Sequence, residues 1–128
     1  MTDKQWIGSE DMLARDLQNP DFRREYERLA LANTVSVEIV RYRAKHHLSQ
    51  TALAKRLGMN QSAIARLEAA EHNPSFETLC RLSSALGIEF LVDIAPSGTR
   101  RRWVNKNAEQ SGETIDVEGS QVLIAAAS

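Results

Sequence analysis

The chain of 128 residues has a single cysteine, Cys80, so no disulfide can form within it. Its three histidines, His46, His47 and His72, include one adjacent pair, and with one Cys they do not make a zinc-ligand spacing. No apolar run approaches the ~20 residues of a membrane span. The opening residues through Met12 lack the apolar core of a signal peptide. A cytoplasmic protein without membrane attachment is the expectation. Neither a Gly-rich phosphate loop nor a Gly-x-Ser-x-Gly elbow is present. Cys80 sits beside Leu79 and Leu82 in an apolar helical pattern, so a buried structural thiol is expected rather than a nucleophile. No enzyme, cofactor or metal site is expected. Aromatic residues make up only 5% of the chain, which calls for a core of Leu, Ala, Ile and Val.

Net charge is also nearly absent, at -1. Such a total would argue against nucleic acid as a partner, but the charge is segregated. Residues 1–40 hold 5 basic and 8 acidic side chains, residues 41–87 hold 7 and 3, and residues 88–128 hold 4 and 6. A basic middle between acidic ends is the pattern to follow.

The local signals predict mostly helix. Ser9 with Glu10 and Asp11 starts a short helix over about 9–18. Asn19-Pro20 starts another, with Phe22, Tyr26 and Leu29 on one side. Asn33-Thr34 is a plausible break before a helix to about 46, although the two helices could be continuous. Ser49 caps a helix over 50–57 that Gly58 ends, and Asn60 caps one over 61–69. Ser75 caps 76–86, with Phe76, Leu79, Leu82 and Leu86 inward, and Gly87 stops it. Ile88, Phe90, Val92 and Ile94 then alternate with other residues, which reads as one strand. A lone strand needs a partner for its backbone groups. Residues 113–127 offer one, and the same strand of a second copy offers another. The polar, Arg-rich stretch 97–112 resembles a linker, which favours pairing across a dimer.

The strongest signal runs from Leu48 to Glu68: two short helices joined by a tight turn at Gly58-Met59-Asn60. Ala54 permits close helix approach, and Ile64 and Leu67 pin the second helix to the core. Its other face, Gln61, Ser62, Ala65 and Arg66, is polar or small, as a helix entering a major groove about 12 Å wide requires. Over residues 35–87 the sequence resembles the lambda-repressor/Cro-like (XRE) helix-turn-helix family, on LSQTALAKRLGMNQSAIARLE, NPS and FETLCRLSSALGI. The resemblance implies a mostly α fold: a bundle of about five helices, with an N-terminal helical extension and a C-terminal strand added. It implies double-stranded DNA as ligand, with Gln50, Asn60, Gln61, Ser62, Ala65, Arg66 and Asn73 at the contact. Arg43 and Glu68 match the family's internal salt bridge. The family usually has Gly where His47 and Ala70 stand, and often basic residues near Glu71-His72.

Leu17 to Tyr26 ahead of the motif and Gly87 to Ile94 behind it resemble HigA-like (host-inhibition-of-growth) antitoxins. That resemblance implies a homodimer that represses its own operon at an inverted repeat. It also implies neutralisation of a basic ribonuclease toxin of RelE/HigB type. Trp6, Leu13, Leu17, Phe22 and Tyr26 are the partner-binding candidates. The alternative is a stand-alone XRE repressor. The expected division is an extension at 1–33, the DNA-binding domain at 34–87, a dimerisation strand at 88–95, and a tail at 96–128, either a hairpin or disordered.

Overall fold

The computed structural model describes residues 11–128, and Trp6 and the Ser9 cap lie outside them. Residues 11–16 are helical. Five further helices and the first strand follow in order: α1 (Pro20–Arg28), α2 (Ala30–His46), α3 (Gln50–Leu57), α4 (Gln61–Ala69), α5 (Phe76–Leu86) and β1 (Glu89–Pro96). The chain closes with α6 (Lys106–Ser111), β2 (Glu113–Val117) and β3 (Ser120–Ala127). The caps act as read. Asn19, Ser49, Asn60 and Ser75 each accept a backbone N–H of their own first turn. Gly58 and Gly87 end their helices in the left-handed conformation, at φ 65° and 68°.

The break between α1 and α2 falls at Leu29, with φ -100° and ψ 18°, and not at Asn33-Thr34. Leu29 has no capping side chain. The cap comes instead from distant sequence: Asn73 Oδ1 accepts Ala32 N at 3.1 Å, and Asn73 Nδ2 donates to Arg28 O at 3.0 Å. One amide thus satisfies an orphan donor of α2 and an orphan acceptor of α1. The expected boundary at 33/34 therefore lies inside α2, where Ala30 and Ala32 are both buried.

The main core joins Val35 and Ile39 of α2, Leu53, Ala54 and Leu57 of α3, Ile64 of α4, Leu82 and Leu86 of α5, and Ile88. Two expectations for α5 fail. Phe76 is 77% exposed, and Cys80 is exposed rather than buried. The buried stripe of α5 runs through Leu82 and Leu86, with Leu79 half-buried beside it. Cys80 is one residue, about 100° of helix, off that stripe.

Of the two partners that the sequence offered the strand, the favoured one being a second copy, the structure shows the one within the chain. Within the chain, β1 pairs antiparallel with β3, Glu89 opposite Ala127 and Pro96 opposite Ser120. β3 also pairs with β2, giving the order β1-β3-β2. The tail is thus a hairpin. Its turn centres on Glu118 and Gly119, both at positive φ, which suits the right-handed twist of the flanking strands. The apparent linker is folded by α6, capped by Asn105, and by a close approach at Gly112. A Cβ there would lie 2.7 Å from Leu123 Cδ1, 2.8 Å from Ala108 O and 2.9 Å from Ile124 O. Ile115 and Ile124 close a second small core against Ala30, so the sheet rests on the start of α2.

Candidate nucleic-acid interface

Two helix N-termini meet at the candidate interface. Ser49 and Asn60 cap α3 and α4, so Gln50 and Gln61 stand at the first helical position of each. Gln61 Nε2 donates to Gln50 Oε1 at 2.7 Å. The bond fixes both amides relative to one another and leaves Gln50 its NH2 group and Gln61 its carbonyl oxygen. Ser62 and Arg66 are exposed on the same helix, and Ala65 is half-buried. On the opposite side, Ile64 is fully buried and Leu67 packs on the core. One face of α4 is therefore anchored and the other is open, small at Ala65 and donor-rich at Gln61 and Arg66.

Three contacts set the pose of α4. Met59 N donates to Ala54 O at 2.9 Å, closing the turn after α3. Ser36 Oγ donates to Glu68 O at 2.6 Å, tying the end of α4 to α2. Arg43 grips Glu68 by both prongs, Nε to Oε2 at 2.8 Å and Nη2 to Oε1 at 2.7 Å, while Nη1 donates to Leu48 O at 3.1 Å. The Glu68 hydrogen bonds raise the pKa of Arg43 above its ordinary value against a smaller opposing effect of burial. This guanidinium is committed to joining α2, the α2–α3 turn and α4.

A helix-turn-helix family model matches residues 39–92, the span that holds this arrangement. Residues 39–92 form a helix-turn-helix domain of the lambda-repressor/Cro-like (XRE) family. The match supports DNA binding by these residues. A comparison with curated proteins finds no match.

The XRE domain places the other candidate residues in different circumstances. The Asn60 side-chain oxygen accepts Ala63 N at 2.8 Å, so it serves as a cap first. Asn73 spends its amide on the α1–α2 junction. Arg56 Nη1 lies 3.5 Å from Tyr42 Oη, while Lys45 and Lys55 are exposed. His47 and Ala70, in place of the family's glycines, adopt φ 54° and 55°. Among the described residues no helix is long and apolar enough to cross a membrane.

Of the partner-binding candidates, the described residues include Leu13, Leu17, Phe22 and Tyr26. Phe22 and Tyr26 stack on α1 with ring centroids 6.5 Å apart and planes 21° apart. Leu13 is 38% exposed and Leu17 half-buried. The acids of α1 are not a free anionic surface. Asp21, Glu25 and Glu27 each lie within ion-pair reach of an arginine of the same helix, Arg24, Arg28 and Arg23. Sequence alone did not show the exposure of Phe76, Val92 and Ile94, the first of which was expected inward.

Proposed function

We propose that this XRE regulator is the antitoxin of a type II toxin–antitoxin pair. In this reading it represses its own operon through α4 and neutralises a small ribonuclease of RelE/HigB type through α1 and the residues before it. The observation that carries the reading is α1 itself. It has nine residues and none is buried, yet it presents a stacked aromatic pair. An apolar surface held out on a helix suits a protein partner. Because the acids of α1 are paired within the helix, the aromatic residues, rather than net charge, would supply the anchor.

A homodimer belongs to the same proposal. β1 is an edge strand, and its free side has no partner strand among the described residues. Val92 and Ile94 there are 41% and 69% exposed. Antiparallel pairing of two β1 edges about a two-fold axis would pair those backbone groups and present two α4 helices to an inverted repeat.

The test is co-expression with the reading frame adjacent to the gene. The expected result is growth rescue and co-purification with the full chain, both lost in Phe22→Ala/Tyr26→Ala, while that variant still binds DNA. Point changes are preferable to deletion of residues 1–33, which would remove buried Ala30 and Ala32. The main core draws no residue from α1, which favours the second reading, a stand-alone repressor. Unchanged co-purification by the variant would overturn the α1 site. A neighbour whose expression is harmless would leave the stand-alone repressor.

A further inference from the structure

The chain reverses after β1 and lies back on that strand. Pro96 O accepts both Thr99 N, at 3.2 Å, and Thr99 Oγ1, at 2.6 Å, across Gly98 at φ 82°. Beyond that turn Arg101 faces the strand, its side chain 6% exposed. Its Nη1 donates to the Asp93 carboxylate and to Asp93 O. Trp103 borders a small cleft with Glu89, Leu91 and Ala125. A larger open cleft, of about 920 Å³, remains between the returning segment and Asp93–Pro96. No residue of α4 lines it, so it is not part of the candidate DNA interface.

The lining of the larger cleft suits an anion. Arg101 stands in its wall, and Nη2 of that side chain is buried with no hydrogen-bond partner. An orphan guanidinium nitrogen is costly, and its natural complement is an acceptor brought by an ion or ligand. Asp93 is the one carboxylate of the lining, and Arg101 already engages it. Arg100 and Arg102 line the same cleft and are exposed. Among the described residues neither forms an ion pair. Trp103 completes the lining and is 90% exposed, so its indole offers a bare π face at the rim. Guanidinium forks match phosphate oxygens, and an exposed aromatic face takes a base by stacking. The volume is within the roughly 300–1,000 Å³ of small-molecule sites.

We propose that this cleft binds a nucleotide, with its phosphate on Arg100 and Arg102 and its base stacked on Trp103. Nη2 of Arg101 is closed to solvent in this form. The two exposed arginines therefore make the first contact, and a phosphate oxygen reaches Arg101 as the loop adjusts around it. The nucleotide is either free or an unpaired residue of a single-stranded chain, since both present the same phosphate and base. The inference does not rest on operator binding by α4, and the two can fail separately.

The experiment uses the full chain with Trp6→Phe, which leaves Trp103 as the only tryptophan. The probes are adenosine monophosphate, adenosine, inorganic phosphate and a short single-stranded oligoadenylate, each followed by Trp103 emission and by calorimetry. The monophosphate is expected to quench Trp103 saturably and to bind more tightly than adenosine or phosphate alone. In R100A/R102A its affinity should fall at least about tenfold. In W103A it should bind no better than inorganic phosphate. Oligoadenylate binding tighter than its number of nucleotides accounts for would support the site with a strand as the source. Equal affinity per nucleotide would support it with the free nucleotide as the source. Adenosine binding as tightly as the monophosphate would overturn the phosphate contact, and phosphate binding as tightly would overturn the base contact. A silent Trp103 with no heat of binding for any probe would overturn the site. The Arg101–Asp93 anchor is untouched in R100A/R102A, so an unchanged melting temperature verifies its fold.

Discussion

Arg43 is the residue on which the pose of the recognition helix rests. Its side chain is about a quarter exposed, and it makes two bonds to Glu68 and one to Leu48 O. Arg43→Ala leaves a largely buried carboxylate without its fork, and should lower unfolding stability by about 2 kcal/mol, read as the urea midpoint. Arg43→Lys keeps the charge but not the two-pronged geometry, and should recover less than half of that loss. His47 and Ala70 pay for the opposite choice, since both hold a left-handed conformation that glycine adopts freely. His47→Gly and Ala70→Gly should each raise stability by up to about 1 kcal/mol, visible as a higher melting temperature and additive in the double variant. A lower melting temperature for either would mean the side chain holds a contact worth more than the strain. Cys80 is exposed, so a thiol reagent should label it in the folded protein within the time it labels a free peptide.

At the scale of the element, helix ends with local signals were legible and helix ends without them were not. Ser49, Asn60 and Ser75 cap by bonds within three residues of themselves, so the sequence around them was enough. The α1–α2 break at Leu29 has no such mark. It is made by Asn73, which is 41 residues from Ala32 and 45 from Arg28. Asn73→Ala should therefore cost about 1–2 kcal/mol and speed hydrogen exchange at Ala32 N, with α3 and α4 unaffected. The candidate interface was legible for a similar reason. Gln50, Gln61 and Arg66 follow from the spacing of two capped helices about a glycine turn. What was hidden was the commitment of Asn73 to the fold, which depends on where its amide points. The strand was read from its alternation, but its partner was not, because pairing with β3 requires the 97–112 segment to fold back. Gly112 makes that possible, and the atoms nearest an added Cβ include two backbone oxygens. Gly112→Ala should thus destabilise by roughly 1–3 kcal/mol, chiefly at α6 and the sheet, as local exchange rates would show.

Over the whole molecule, the net charge of -1 conceals a basic centre, and the fold gives that centre a direction. The helix-turn-helix region carries the excess of basic residues over 41–87, while the turn after β1 adds Arg100 and Arg102, both exposed, around an inward-turned Arg101. The N-terminal helix balances its own charges and offers aromatic rings instead. These are three surfaces on one small frame, and only the first is tied to DNA by its family. The most direct measurement of the central claim is a footprint of the full chain on DNA upstream of its own gene, repeated with Gln61→Ala and Arg66→Ala. The account predicts two protected half-sites about one helical turn apart. It also predicts that each variant loses ~1–3 kcal/mol of binding and relaxes selectivity at one or two base pairs. Protection that is unchanged in both variants would contradict it, because α4 would then not be the element that reads the DNA.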